Sequence, residues 1–98
     1  MALKELDPLL HSQLRLAVVS LLAGVKEADF SYLKEETNST AGNLSVQLQK
    51  LKEADYISIE KSFKNNYPQT TCKITDKGIN AFHVYVENLK EYLTPKGK

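Results

Sequence analysis

Ninety-eight residues, 42% apolar and 26% charged, make a single domain around one modest core, and exclude both a disordered tail and a two-domain chain. The longest apolar run, Leu16 to Ala23, is interrupted by Ser20 and stops at Gly24, short of the ~20 residues that cross a bilayer. MALKELDPLL lacks the basic-then-apolar layout of a secretory signal, so no membrane is expected, and a cytoplasmic address is.

Asp7-Pro8 is a helix-start signal, a capping acid with proline at the first helical position, and Ser12 is a second candidate start. Leu10, Leu14, Ala17 and Leu21, with Leu9 and Leu16, recur at helical spacings, and Val18 and Leu22 widen the stripe. This predicts one strongly apolar helix, ended by Gly24 as a left-handed cap. So broad a face must be covered on more than one side, by the core or by a partner subunit. Glu27 to Phe30 reads as a short strand or an extended lead-in. Ser31 is the expected cap of a brief helix, Tyr32 to Thr37, with Phe30 and Leu33 inward.

Asn38 tolerates positive φ, so the chain turns sharply through Ser39-Thr40. Thr40 caps the next helix, which runs to about Asp55 on a stripe of Leu44, Leu48 and Leu51, with Ala54 continuing one face. Tyr56 to Phe63 alternates, with Ile57, Ile59, Lys61 and Phe63 on one face and Ser58, Glu60 and Ser62 on the other. Lys64-Asn65-Asn66-Tyr67-Pro68 holds the turn formers, and Gln69 to Ile74 is a second strand. Thr75-Asp76-Lys77-Gly78 opens a last helix to about residue 93, and Thr94 to Lys98 reads as a frayed tail.

Two helices at a tight polar turn, followed by a hairpin, form a helix-turn-helix (about 31–55) with a wing (about 57–74) and a long C-terminal helix (about 75–93). The fold class expected for residues 1–98 is therefore mainly α with a small β-hairpin, a winged helix-turn-helix. In that layout the second helix offers its amino-terminal end to the major groove, and the hairpin tip can reach the flanking backbone or minor groove.

The charges suit this layout. The net charge is only +1, but acids are absent from Thr37 to Lys52 and from Lys61 to Thr75, windows that hold Lys50, Lys52, Lys61, Lys64 and Lys73. A nearly neutral chain can thus carry one positive face. Off the leucine stripe lie Ala41, Gly42, Asn43, Ser45, Val46, Gln47, Gln49 and Lys50. Asn43 and Gln47 suit bidentate pairing with adenine. Thr40 and Ser45 can bond phosphates, and Ala41 and Gly42 leave room for close approach at the positive end of the helix dipole. Lys61, Lys64, Asn65 and Asn66 carry the wing's share. The same residues would also serve as the solvated face of an amphipathic helix.

At this point the chain resembles compact, stand-alone winged-helix transcriptional regulators related to the MarR and ArsR groups. The resemblance runs from about Leu6 to Leu93, on LDPLLHSQLRLAVVSLLA, FSYLKEETNSTAGNLSVQLQKLKEADYI and FKNNYPQTTCKITDKG. Its more specific parts are Gly42-Asn43-Leu44-Ser45 with Ala54-Asp55-Tyr56-Ile57, and the hairpin ending Ile74-Thr75-Asp76-Lys77-Gly78. It implies DNA binding through the helix Thr40 to Ala54 and the wing, with dimerisation through terminal helices. The chain departs from many relatives in a wing without arginine and in Asp55, where glycine is common.

Ile79, Phe82, Val86, Leu89 and Leu93 alternate spacings of three and four, the seam pattern of packed helices. Tyr85 and Tyr92 border the seam. The expected dimer surface comprises Phe82, Tyr85, Val86, Leu89, Tyr92 and Leu93, with Leu10 and Leu14 from the first helix. Cys72, the lone cysteine, reads as a buried strand residue, and His11 and His83 lie in no metal-ligand spacing. No metal, cofactor or enzymatic activity is expected, and the small-molecule effector, if there is one, stays unknown. The competing reading is a winged helix used as a protein-protein interaction module.

Overall fold

The computed structural model describes residues 3–94, so the tail expected beyond Thr94 lies outside the described residues. The elements are α1 Gln13–Val25, β1 Glu27–Asp29, α2 Phe30–Thr37, α3 Ala41–Glu53, β2 Ile57–Lys64, β3 Tyr67–Ile74 and α4 Asp76–Leu93. The strands form one antiparallel sheet in the order β1-β3-β2. The helix-turn-helix, wing and long last helix are thus present as expected.

Asp7 starts a turn but not the first helix. Its Oδ1 accepts from the Leu9 N–H at 2.9 Å, and its carbonyl accepts from Leu10 and His11 at 3.1 and 2.9 Å. The chain then breaks, and α1 begins afresh after Ser12, the second candidate. Gly24 is not the cap: it lies inside α1, and the positive φ falls on Lys26, at 78°. Lys26 is where the helix must hand over to the sheet. Its N–H still bonds Leu22 at 2.7 Å while its carbonyl accepts from Ile74 at 3.1 Å, so the break is fixed there.

Asp29, not Ser31, caps α2, because an N-cap side chain reaches the amide three residues on, and Asp29 Oδ1 accepts from Tyr32 at 2.8 Å. Asn38 ends α2 in the left-handed region (φ 52°), with bonds from Asn38 to Glu35 and from Ser39 to Lys34, both 3.2 Å. Thr40 caps α3, its Oγ1 accepting from Asn43 at 3.1 Å. α3 closes the same way as α2: Asp55 has φ 64°, and bonds run from Asp55 to Lys52 and from Tyr56 to Leu51 at 2.9 and 3.0 Å. Both are Schellman closures, which use a left-handed residue and favour glycine. Asp55 therefore takes the left-handed conformation that glycine adopts most easily.

The core gathers Leu10, Val18, Val19, Leu22, Leu33, Leu44, Leu48, Leu51, Ile57, Cys72 and Tyr85. Each fully buried aliphatic side chain contributes roughly 1.5–3 kcal/mol. The leucine stripe of α3 is buried as expected, while the deepest side of α1 is Val18, Val19 and Leu22, with Leu14, Leu16 and Leu21 on its half-buried flanks. Cys72 is fully buried, and burial pushes its thiol up to about 11.

Thr75 caps α4, accepting from Gly78 at 3.0 Å while donating to the Asp55 carbonyl at 2.5 Å. A Cβ on Gly78 would stand 2.2 Å from the Tyr56 carbonyl oxygen, so glycine is required where α4 crosses the start of β2. Tyr56 in turn donates to Asp7 Oδ2 at 2.5 Å. Burial, and then the hydrogen bond and charge of Asp7, push its phenol up to about 12.

Leu10 and Tyr85, expected on the dimer surface, are 0% and 4% exposed within this one chain. The Tyr85 hydroxyl lies 3.0 Å from His11 Nδ1. Both belong to the chain's own core, and neither offers surface to a second copy.

The wing closes with Asn65 and Asn66 at φ 52° and 68°, the two positive values of a type I′ hairpin. β3 begins at Tyr67, ahead of the expected Gln69, and so includes Pro68. Lys64 and Tyr67 flank the turn as the hydrogen-bonded pair, which makes Phe63 opposite Pro68 a non-hydrogen-bonded pair. The missing N–H of Pro68 would have pointed away from β2, and β1 covers only Thr71 to Lys73 on that side.

Candidate nucleic-acid interface

With Leu44, Leu48 and Leu51 turned inward, the other positions of α3 divide at about 100° per residue into three strips. Gly42 and Val46 lie opposite the stripe, and Val46 is 52% exposed. Ser45, Gln49 and Lys52 lie on the flank toward the wing. Asn43 and Gln47, with Lys50 beyond them, lie on the flank toward α1.

At the start of the helix, the N–H groups of Ala41 and Gly42 precede the first intrahelical bond, Leu44 to Thr40. They sit at the positive end of the α3 dipole, beside the Thr40 hydroxyl. A Cβ on Gly42 would meet nothing within 4 Å, so glycine leaves open space on the outermost strip.

A groove separates α3 from the wing, lined by Ser45, Gln49 and Lys52 on one side and Ile59, Lys61 and Thr70 on the other. Among the described residues no acid lines it, so two lysine ammonium groups and two hydroxyls face a channel fit for a phosphate chain. Lys52, Gln49 and Thr70 join the interface residues expected from the sequence. The helical wheel carried the signal for Lys52 and Gln49; Thr70 is brought in only by its pairing with Lys61.

Lys73 leaves the basic set. It shares a sheet face with Glu60, opposite to Ile59 and Cys72, and its Nζ lies 3.5 Å from Glu27 and 4.0 Å from Glu60. Such exposed pairs add at most about 1 kcal/mol of stability, but they cancel a charge the wing would otherwise present. Lys61 faces the α3 side of the sheet, and Lys64 the other side, next to the Asn65-Asn66 tip.

Phe63 keeps the strand face expected of it but is 77% exposed, and Tyr67 is 74% exposed. The reason is length: the hairpin runs beyond the body, so the inward face at its end has nothing beneath it. The tip thus carries two aromatic rings, two asparagines and one lysine.

Asn43 and Gln47 are not two free amides. Gln47 is half-buried, its Oε1 accepts from Nη1 of Arg15 on α1, and its Nε2 donates to Asn43 Oδ1 at 3.0 Å. Arg15 lies off the apolar stripe of α1, and nothing in its own helix marks it for the interface; only the fold brings it to α3. Among the described residues, no three of His, Cys, Asp and Glu group as a metal would require.

Known proteins share the family and the fold. A family model described as a winged helix DNA-binding domain matches residues 14–93. An uncharacterised protein of Methanocaldococcus jannaschii, MJ0432, is 40% identical over 76 residues, which are 78% of this chain and 83% of that protein. The structure of a transcriptional regulator homologue from Pyrococcus horikoshii OT3 superposes with a TM-score of 0.82 at 25% identity, covering 87% of this chain and 84% of that one. A MarR-family transcriptional regulator from Silicibacter pomeroyi shares the fold with a TM-score of 0.67 at 12% identity; the match covers 85% of this chain and 55% of the regulator.

Proposed function

This chain belongs to the family of winged helix DNA-binding domains; from that premise we propose that it is a transcriptional regulator related to MarR, and that it binds a specific operator as a homodimer. The family and fold are those of regulators rather than enzymes. The observation that carries the proposal is the outward face of α3. It combines exposed helix-start N–H groups, open space at Gly42, the Asn43 amide, and a lysine- and hydroxyl-lined groove leading to the wing.

In this reading α3 enters the major groove by its amino end, with Asn43 and Val46 against base edges; Val46 suits a thymine methyl group. Thr40, Ser45, Lys50, Lys52 and Lys61 hold phosphates, and Lys64, Asn65 and Asn66 meet the flanking backbone. The proposed place of action is the cytoplasm; no helix among the described residues is long and apolar enough to cross a membrane.

Homodimerisation rests on α4. Its core side is Gly78, Tyr85 and Leu89, whereas Ile79, Val86 and Leu93 lie farther round the helix and stay partly or largely uncovered, Leu93 by 74%. Tyr92, 44% exposed, lies on the other flank of α4 and donates to the Lys4 carbonyl at 2.8 Å. The radius of gyration is 15.2 Å and the long axis 61 Å. A compact chain of this length would have a radius of roughly 13 Å. So extended a body cannot cover its own last helix, and a two-fold partner would bury that strip together with the half-buried Leu14 and Phe82. Two recognition helices would then address half-sites about 34–36 Å apart, in an inverted repeat.

The exposed Phe63 and Tyr67 favour one second reading, a wing that docks on another protein. Selection of bound sites from random duplexes with the purified protein separates the two. The operator reading expects enrichment of an inverted repeat; a protein-docking wing without DNA specificity expects none.

A further inference from the structure

Arg15 is the only arginine of the sequence, and it stands on α1, outside both the recognition helix and the wing. Its Nε donates to the Leu9 carbonyl at 2.6 Å, while its Nη1 reaches across to Gln47 Oε1 on α3. Gln47 Nε2 continues the line to Asn43 Oδ1 at 3.0 Å. Leu9 is itself held by the Asp7 turn, so the guanidinium fork is braced at its back.

This line of bonds has only one direction. A guanidinium donates and cannot accept, so the Gln47 atom facing it must be the carbonyl oxygen. That turns Nε2 toward Asn43, whose facing atom must then be the acceptor Oδ1. The opposite orientation of the Asn43 amide would set two nitrogen donors against each other. Gln47 has its oxygen and one N–H occupied. Asn43 keeps a free lone pair on Oδ1 and both protons on Nδ2.

We infer that Arg15 is the positioning residue for base readout. It holds Gln47 as a strut and, through it, presents the Asn43 amide in one fixed orientation, with acceptor and donor side by side. That pair is the complement of the adenine N6–H and N7. The inference rests on the DNA reading proposed above, and it replaces two equivalent amide readers with one reader and one strut. Without the fork, rotation of the Asn43 amide by a half-turn no longer breaks a bond, and the side chain would offer either edge to a base.

Arg15 has further N–H groups, so a direct phosphate contact is the alternative, and the two roles give different signatures. The experiment is site selection from random duplexes, followed by anisotropy titrations across salt, with the parent, Asn43→Ala, Arg15→Ala, Arg15→Lys and Gln47→Glu. Far-UV circular dichroism confirms the fold of each. The parent is expected to prefer adenine at one position per half-site by roughly tenfold or more, and Asn43→Ala to lose that preference. Arg15→Ala and Arg15→Lys should both relax the same position to within about threefold, with the slope against log salt unchanged, because one ammonium cannot replace a two-ended fork. Gln47→Glu keeps a partner for Arg15 but has no N–H for Asn43, and should relax that position too.

Full preference in Arg15→Lys, or intact preference in Arg15→Ala with a salt slope lowered by about one unit, makes Arg15 a phosphate contact and overturns the inference alone. A parent that enriches no sequence overturns the DNA reading, and this inference with it.

Discussion

Gly42→Ala separates the folding role of the recognition helix from its binding role, because the two effects have opposite signs. Gly42 is the second residue of α3, does not have a positive φ, and a Cβ there meets nothing within 4 Å. The free chain loses only the conformational freedom of a glycine, so the substitution should stabilise it by roughly 0.5–1 kcal/mol. For a domain of this size that is a rise in Tm of roughly 2–8 °C. On DNA, the new methyl group occupies the space where the helix start approaches the groove. Overpacking of a close contact costs about 1–3 kcal/mol, or roughly 5- to 150-fold in Kd. Thermal melting and anisotropy on the same preparation read both numbers. A higher Tm with unchanged Kd would mean that DNA does not approach this end of α3. A lower Tm would show that the space is not open.

Three other substitutions test separate parts of the account. Lys64→Ala, at the wing tip, should weaken operator and random duplex about equally and lower the salt slope by roughly one unit; a changed sequence preference at constant slope would make the wing a base reader. Leu93→Glu is a cleaner test of the dimer than a change at Leu89, which packs on the core. The parent should sediment at twice the 11.0 kDa chain mass and the variant at that mass, with the monomer still folded; a parent that runs as a monomer refutes the dimer. The Tyr56 phenol, raised to about 12 from an ordinary 10, contributes stability that is fully present below pH 10 and is lost as pH rises through 12. Tyr56→Phe should cost about 0.5–1.5 kcal/mol at pH 8 and flatten the stability profile between pH 10 and 12; an unchanged profile would contradict the raised phenol, and with it the burial and the Asp7 contact that raise it.

The helix-turn-helix was legible because its signals are local. The Leu44, Leu48, Leu51 stripe, the Thr40 cap and the left-handed Asn38 each depend on residues within one or two turns. What the sequence hid was set by partners distant in the chain. Gly24 looks like a cap until the bond from the Ile74 N–H to the Lys26 carbonyl fixes the helix end. Tyr85 sits beside an apolar seam, yet its contact with His11, far off in sequence, takes it into the core. Lys73 reads as a basic residue of the wing until the sheet register sets it beside Glu27 and Glu60. Gln47 resembles Asn43 in its local sequence, and only the bond from Arg15 on another helix sets the two amides apart.

Binding of the selected operator, measured as a function of salt beside a scrambled duplex of the same length, tests the central claim most directly. Each phosphate neutralised by the lysine-lined groove and wing should add about 0.9 to the negative slope of log K against log salt. The account predicts a steep linear slope for both duplexes, with the operator bound more tightly at every salt concentration. Equal affinity for the two duplexes, or binding that does not respond to salt, would contradict it.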